Sequence, residues 1–284
     1  MKVAAVVVFY NPNKDTVQNI NSYIDRVDKL YIVDNSDNSN ESLLPENKKI
    51  EYIPNLDNYG IAKALNIGAE NSIKDGYKWL LTMDQDSKLE KETLDKLINY
   101  IEKNDTKKVG IVTPWHIINT GIQKPKDLEI DYPLEVMTSG NLVNLDAYKE
   151  IGGWDNNLFI DDVDIDYCLN LNRHGYKVVR LLNAEMEHSL GNITIKHIWP
   201  FKKSYYCTNH NYLRRYYMSR NLKYLENKYK GQFDAQFAFM EGGIRGQKKN
   251  IIVFEKDKIR KLKYMKQGEK DGLQGKMGRC RGKD

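Results

Sequence analysis

The sequence predicts an α/β protein built on a mostly parallel sheet, and three observations carry that prediction. Between Met1 and about Val112, apolar runs short enough for strands alternate with segments whose apolar residues recur at helical spacing. Loops rich in Asn, Asp and Gly separate them. One run, Trp79-Leu80-Leu81-Thr82-Met83, ends in two carboxylates one residue apart, Asp84 and Asp86, and open α/β sheets place their ligands at the carboxyl ends of strands.

Taken in order, Val3 to Phe9 reads as the first strand, stopped by Asn11-Pro12-Asn13. Lys14 to Arg26 reads as a helix with Val17, Ile20, Tyr23 and Ile24 on one face. Leu30 to Val33 is the second strand, and the polar run from Asp34 to Asn40 cannot form core. Ile50 to Ile53 is the third. Gly60 then opens a helix from Ile61 to about Lys74; a glycine there permits close backbone approach, and the free N–H groups of the helix start form an anion site. After the strand that reaches Asp84 come a helix from Leu89 to Glu102, presenting Leu94, Leu97, Ile98 and Ile101, and a strand over Val109 to Val112.

The rest is less regular. Trp115 to Leu134 reads as a polar connection, Glu135 to Val143 as a strand across the sheet, and Asp146 to Glu150 as a short helix stopped by Gly152-Gly153. The acid-rich segment Asp161 to Asp166 leads into a helix that ends at Gly175. Tyr176 to Leu181 and Ala184 to Glu187 are extended and close at His188. From Ile195 onward tyrosines interleave with Arg and Lys, and Ile251 to Met265 is basic and amphipathic, which predicts two or three helices. The expected division is a catalytic domain over residues 1–200 and a basic, tyrosine-rich helical extension over residues 201–284, packed on that domain or placed at a membrane or dimer surface.

Composition narrows the function classes. With 284 residues, 40% hydrophobic and 29% charged, the chain matches a soluble globular protein. Val3 to Phe9, its longest apolar run, is too short to span a bilayer and is not followed by a small-residue cleavage site, so cytoplasmic residence is the expectation. Three scattered cysteines, Cys168, Cys207 and Cys280, argue against a disulfide framework or a Cys-based zinc site. The net charge of +5 is uneven: residues 195–284 hold 23 of the 44 Lys+Arg and 8 of the 39 Asp+Glu. Such a tail suits an anionic surface, while the acidic front half would repel a nucleic acid.

Asp84 and Asp86 are hard oxygen donors, suited to Mg²⁺ or Mn²⁺ held partly through the phosphates of a substrate. Their plain alternative is to cap the helix beginning near Leu89. Four other features also fall at strand exits or helix starts: Asp34, Asn58 with Gly60, the acids from Asp161 to Asp166, and His188. Each has its own alternative as a turn or cap residue.

Together these residues resemble the family 2 inverting glycosyltransferases with a GT-A fold. The resemblance runs from Met1 to about Asn192 through Val33-Asp34-Asn35-Ser36, Asn58-Tyr59-Gly60-Ile61-Ala62-Lys63, Asp84-Gln85-Asp86-Ser87 and His188-Ser189-Leu190-Gly191. The Asp-Gln-Asp-Ser form, with Phe159-Ile160-Asp161 and Val163-Asp164-Ile165-Asp166-Tyr167-Cys168-Leu169, is similar to the rhamnosyltransferase-like branch that builds bacterial surface polysaccharides. Tyr216-Tyr217-Met218-Ser219-Arg220-Asn221 and the segment from Gly272 to Gly278 resemble that branch too.

The resemblance implies roles. Asp34 accepts from a pyrimidine N3–H, with Phe9 or Tyr10 against the base, and Asn58, Gly60 and Lys63 line the nucleotide pocket. Asp84 contacts ribose or a metal-bound water, and Asp86 and His188 ligate Mn²⁺ or Mg²⁺, with Asp84 at the same metal. Trp154 and Asp155 border an acceptor pocket. The family carries Glu-Asp where this chain has no Glu: registering on Cys168-Leu169 selects Asp164 as the base, and registering on Phe159 selects Asp161 or Asp162. Asp164 is preferred, with Asp161 second.

The implied activity is inverting transfer of rhamnose or another hexose from a dTDP- or UDP-linked donor to a hydroxyl of a growing, lipid-linked surface polysaccharide. The tail would then meet an anionic membrane surface at the inner face of the plasma membrane, or a second copy in a homodimer. Two other readings compete. A metal-dependent nucleotidyltransferase would want a Gly-rich, basic phosphate loop, which Phe9 to Lys14 does not provide. A nucleic-acid or membrane-binding module would use the tail tyrosines as stacking platforms.

Overall fold

In a computed structural model, residues 1–118, 123–188, 194–198 and 203–280 are described, and they fall into two compact units. The first comprises Met1–Asn156 and Val163–Ser189. Its chain order is β1 (Ala4–Phe9), α1 (Lys14–Ile20), β2 (Lys29–Asp34), β3 (Ile50–Pro54), α2 (Ile61–Lys74), β4 (Trp79–Asp84), α3 (Lys91–Lys103) and β5 (Val109–Ile117). Then follow β6 (Ile130–Asp131), β7 (Asn141–Asn144), α4 (Leu145–Ile151), α5 (Val163–Arg173) and β8 (Lys177–Glu187).

The strands form one sheet in the order β3-β2-β1-β4-β7-β5-β8-β6. β3, β2, β1 and β4 run parallel, with Val8 opposite both Val33 and Asp84. That register brings the exits of three strands to one edge, which is how a linear pattern of loops becomes a site. β7 enters antiparallel between β4 and β5, Thr82 pairing with Asn141. β1, β2 and β4 are buried on both faces while the edge strand β3 is only partly so: Ala4, Ala5, Val6, Leu80 and Leu81 are fully buried, and Val7, Leu30 and Met83 share one core with Leu94 and Leu97 of α3. Each of the Val, Leu and Met side chains contributes about 1.5–3 kcal/mol by leaving water.

Several boundaries differ from expectation. The helix over Lys14 to Arg26 stops at Ile20, and a separate 3-10 turn covers Ile24–Arg26. The strand over Glu135 to Val143 shrinks to β7, since Met137 to Gly140 turn beneath β4 with Gly140 N–H donating to Thr82 O. The two extended pieces after Tyr176 are one strand, β8. The connection from Trp115 to Leu134 starts inside β5 and includes β6.

The second unit comprises Asn157–Asp162 and Leu190–Asp284. It begins its long stretch with a hairpin absent from the sequence reading, β9 (Thr194–Ile198) and β10 (Lys203–Cys207), followed by α6 (Tyr212–Lys228), α7 (Asp234–Phe254) and α8 (Lys258–Leu273). The stretch from Ile251 to Met265 is two helix ends: α7 stops at Phe254 and α8 starts at Lys258. Glu255 at this corner is buried and paired with Arg215 and Lys261, at 2.7 Å each. Among the described residues, no helix is long and apolar enough to cross a membrane.

Candidate active site

Phe9 ends β1 and Tyr10 follows it in the exit bend, and their side chains part. Phe9 is 0% exposed within the core while Tyr10 is 47% exposed, so of the two aromatics expected against a base only Tyr10 has a free ring. Phe9 instead fixes the loop from inside, its carbonyl accepting from Asn35 N–H at 2.8 Å.

Asp34 ends β2 and is 1% exposed. Its Oδ1 accepts from Ser36 N at 2.9 Å, and its Oδ2 accepts from Tyr52 Oη at 2.7 Å and Asn40 Nδ2 at 2.9 Å. Three donors leave about one acceptor position of an ionised carboxylate open. Tyr52 and Asn40 have no motif of their own, so this support was invisible in the sequence. Asn35 Nδ2 donates to Gly60 O at 3.1 Å and receives Asn55 Nδ2 on its own Oδ1 at 2.7 Å. Asn58 Oδ1 accepts from Gly60 N at 3.0 Å, and Gly60 adopts φ 85° at the start of α2. Lys63 stands half-buried in the first turn of that helix.

At the exit of β4, Asp84 N–H donates to Ser139 Oγ at 3.1 Å. Burial, then the charges of Asp86 and Asp164, push the Asp84 carboxyl up to about 7. The three acids therefore share one electrostatic neighbourhood, although Asp164 is 80 residues away in sequence. Neither Asp84 nor Asp86 caps the following helix: its N-cap is Glu90, without a side-chain bond. Gln85, between them, is the tie to β1, accepting from Tyr10 N at 2.8 Å and donating to Tyr10 O at 3.2 Å. Asn19 Nδ2 holds the Gln85 carbonyl at 3.0 Å.

His188 follows β8, and burial draws its imidazole below the ordinary range while Asp86 pulls it back up. Its buried Nδ1 has no partner among the described residues. His116 on β5 faces it edge-on at 5.9 Å, with its own Nε2 2.7 Å from Ser139 O and its pKa pushed down to about 4 by burial. His116 and Ser139 join the site only through the sheet. Ser189, Leu190 and Gly191 lie outside the described residues.

Among the described residues, no three His, Cys, Asp or Glu side chains group closely enough to hold a metal ion by themselves. A cation that takes much of its shell from phosphate and water needs only one or two protein donors. Asp86 and the unpartnered Nδ1 of neutral His188 fit that requirement, and the crowding of Asp84, Asp86 and Asp164 is a concentration of negative charge that a cation would relieve.

Asp164 lies in the first turn of α5, and its Oδ1 accepts from the neighbouring Ile165 N at 2.9 Å. Its charge also raises Glu135, which burial has already pushed up. Trp154 is 4% exposed and stacks on Tyr167 with centroids 4.6 Å apart. It is a core ring, lining with Asp164, Thr82 and Thr138 one small cavity. Asp155 beside it is half-buried. Asp161 and Asp162 belong to the second unit, where Arg214 pairs with Asp161 at 3.0 Å.

A profile of glycosyl transferase family 2 matches residues 4–161. The dTDP-rhamnosyl transferase RfbF of Shigella flexneri is 29% identical over 238 residues, 77% of this chain and 78% of the relative. Among solved structures, S. aureus TarS 1-349 in complex with UDP-GlcNAc matches with TM-score 0.58 and 13% identity, over 97% of this chain and 81% of that one. The mannosyltransferase PcManGT from Pyrobaculum calidifontis, in complex with GDP-Man and Mn²⁺, gives 0.55 and 11%, over 94% and 73%. GalNAc-T7 with UDP, GalNAc and Mn²⁺ gives 0.54 and 16%, over 66% of this chain, which spans 44% of that one. At these identities the structures report the fold, and it is the expected GT-A fold.

Proposed function

The chain belongs to glycosyl transferase family 2, with a rhamnosyltransferase-like sequence, and from that premise we propose that it moves rhamnose or another hexose, with inversion, from a dTDP- or UDP-linked donor to a hydroxyl of a growing, lipid-linked glycan. The convergence of Asp84, Asp86 and Asp164 at the carboxyl edge of a parallel sheet carries the reading. Tyr10, Asp34 and the loop from Asn55 to Gly60 hold the nucleotide. Asp164 takes the proton of the acceptor hydroxyl as its oxygen bonds to the anomeric carbon, while the bond to the nucleoside diphosphate breaks on the opposite face. Asp86 and His188, with Asp84 beside them, would hold Mn²⁺ or Mg²⁺. Such a cation, when bound, offsets charge on the departing diphosphate.

The second unit supports a site of action at an anionic membrane surface. Ile252, Val253 and Ile259 are exposed around the α7–α8 corner, among exposed Lys249, Lys256, Lys258 and Arg260.

Incubation with dTDP- and UDP-sugars, a glycan acceptor and Mn²⁺ or Mg²⁺ tests the reaction. The expected result is acceptor-dependent release of nucleoside diphosphate that stops on chelation. Pyrophosphate release would favour nucleotidyl transfer, and turnover indifferent to chelator would remove the cation from the account.

A further inference from the structure

The loop from Asn157 to Asp162 carries two of the candidate carboxylates and is held within the second unit. Asp161 has φ 64° and Asp162 φ 59°, two consecutive left-handed residues, neither of them glycine. Strain of this kind persists only where the surroundings over-determine it, and it clusters at functional sites. Asp161 Oδ2 is in addition buried without a partner among the described residues, an arrangement that calls for a functional reason.

The restraint comes from α6 and from the chain that follows α8. Asn221 Nδ2 donates to Ile160 O and to Asp161 O, at 2.8 Å each, gripping the carbonyls on either side of the strained residue's amide and Cα. Asn221 is 0% exposed, and Arg220 Nε and Nη2 donate to its Oδ1 at 3.1 and 3.0 Å. Only one orientation of the amide satisfies both sides, with oxygen toward the guanidinium and nitrogen toward the two carbonyls. Arg214 Nε donates to Asp161 Oδ1 at 3.0 Å, and Tyr217 stacks on Phe159 with centroids 5.4 Å apart. Gly278 closes the loop from behind: its N–H donates to Asn157 O at 3.0 Å, and its carbonyl accepts from Arg220 Nη1 at 2.5 Å.

Building on the transferase reading, we infer that Asn221 is a positioning residue for the reaction. It clamps the Asp161–Asp162 turn, and α6 with the segment around Gly278 serves as the scaffold of that acidic loop. The tail therefore has a role in sugar transfer beyond any surface it docks on.

Asn221→Leu removes both donors at similar size, and Arg214→Gln removes a half-exposed anchor with little risk to folding. Hydrogen exchange over residues 157–162 reads the loop without any substrate, and steady-state kinetics read the consequence. For Asn221→Leu the expected result is exchange about ten-fold faster in that segment, kcat lower by about ten-fold, and donor KM within about two-fold of wild type. Arg214→Gln should move exchange and kcat the same way by about three-fold. Wild-type exchange and kcat in both variants overturn the inference. So does a matching loss of protection along the whole chain in both, which marks a fold defect and not a released loop. If the loop loosens as expected but wild-type protein transfers no sugar from any nucleotide donor, the activity reading fails and not the clamp.

Discussion

At the scale of the residue, the proposed reaction gives Asp86 and Asp164 separable tasks. Asp86→Asn removes charge where donor phosphates and cation meet, so metal-stimulated donor binding, read by titration calorimetry, should fall by about ten-fold or more. Asp164→Asn keeps the shape but cannot take a proton, so turnover should fall by about 10²–10⁴ with nucleotide affinity near wild type. Full turnover in Asp164→Asn would return the base to Asp161 or Asp162. Gln85→Leu cuts both bonds to Tyr10, each worth about 0.5–1.5 kcal/mol, and should raise donor KM by about five-fold while kcat holds. The position of Asp84 and Asp86 at the exit of β4 was legible because an apolar buried run must end somewhere. The sequence left Phe9 and Tyr10 as alternatives because a motif does not say which of two adjacent aromatics faces in; the fold buries Phe9 and exposes Tyr10. His116, Ser139 and Tyr52 were missed because only pairing across the sheet brings them to the site.

At the scale of the element, the α6–α8 crossing is the tightest contact described. A Cβ on Gly268 would lie 2.3 Å from Tyr216 O, and one on Gly272 2.2 Å from Arg220 O. Neither backbone can yield without moving a helix. Gly268→Ala should cost about 2 kcal/mol or more, seen as a lower urea midpoint at unchanged m-value. Just before α6, His210 is pushed down to about 4 by burial and by Arg214, Arg215 and Lys261, with Glu255 opposing. Its depressed pKa means that the unfolded chain binds the proton first, so stability is lost as pH falls from about 6.5 toward 4. In His210→Gln, thermal melts across that window should show a shallower pH dependence; an unchanged slope would place the acid sensitivity elsewhere. The break at Glu255 was unreadable for a related reason. Its buried partner Arg215 lies 40 residues away, and a helical pattern runs across the corner as though it were absent.

At the scale of the whole molecule, the charge division proposed for membrane docking can be tested apart from chemistry. Lys256→Glu with Lys258→Glu reverses two exposed charges beside Ile259, where each cation near an anionic surface is worth about 1 kcal/mol. Co-sedimentation with vesicles containing anionic lipid should drop by at least about ten-fold, and binding to neutral vesicles should hardly change. Unaltered binding to anionic vesicles would reject the surface. The helices of the tail were legible in its apolar spacing, but the β9–β10 pair was not, because its short runs, Thr194–Ile198 and Lys203–Cys207, carry no strong alternation to set them apart from the helical pattern that follows.

By itself the sequence determined the parallel half-sheet, the loops at its carboxyl edge and the placement of Asp34, Asn58, Gly60, Asp84 and Asp86 on those loops. Periodicity and turn chemistry report burial and pitch within a dozen residues, and a parallel sheet turns that local order into a shared edge. Tertiary structure alone decided that β7 slips antiparallel between β4 and β5, that Asp164 shares a field with Asp84, and that Asn221 grips the turn at Asp161. Each depends on which distant backbone or charge comes to lie alongside, a quantity that no stretch of sequence carries alone.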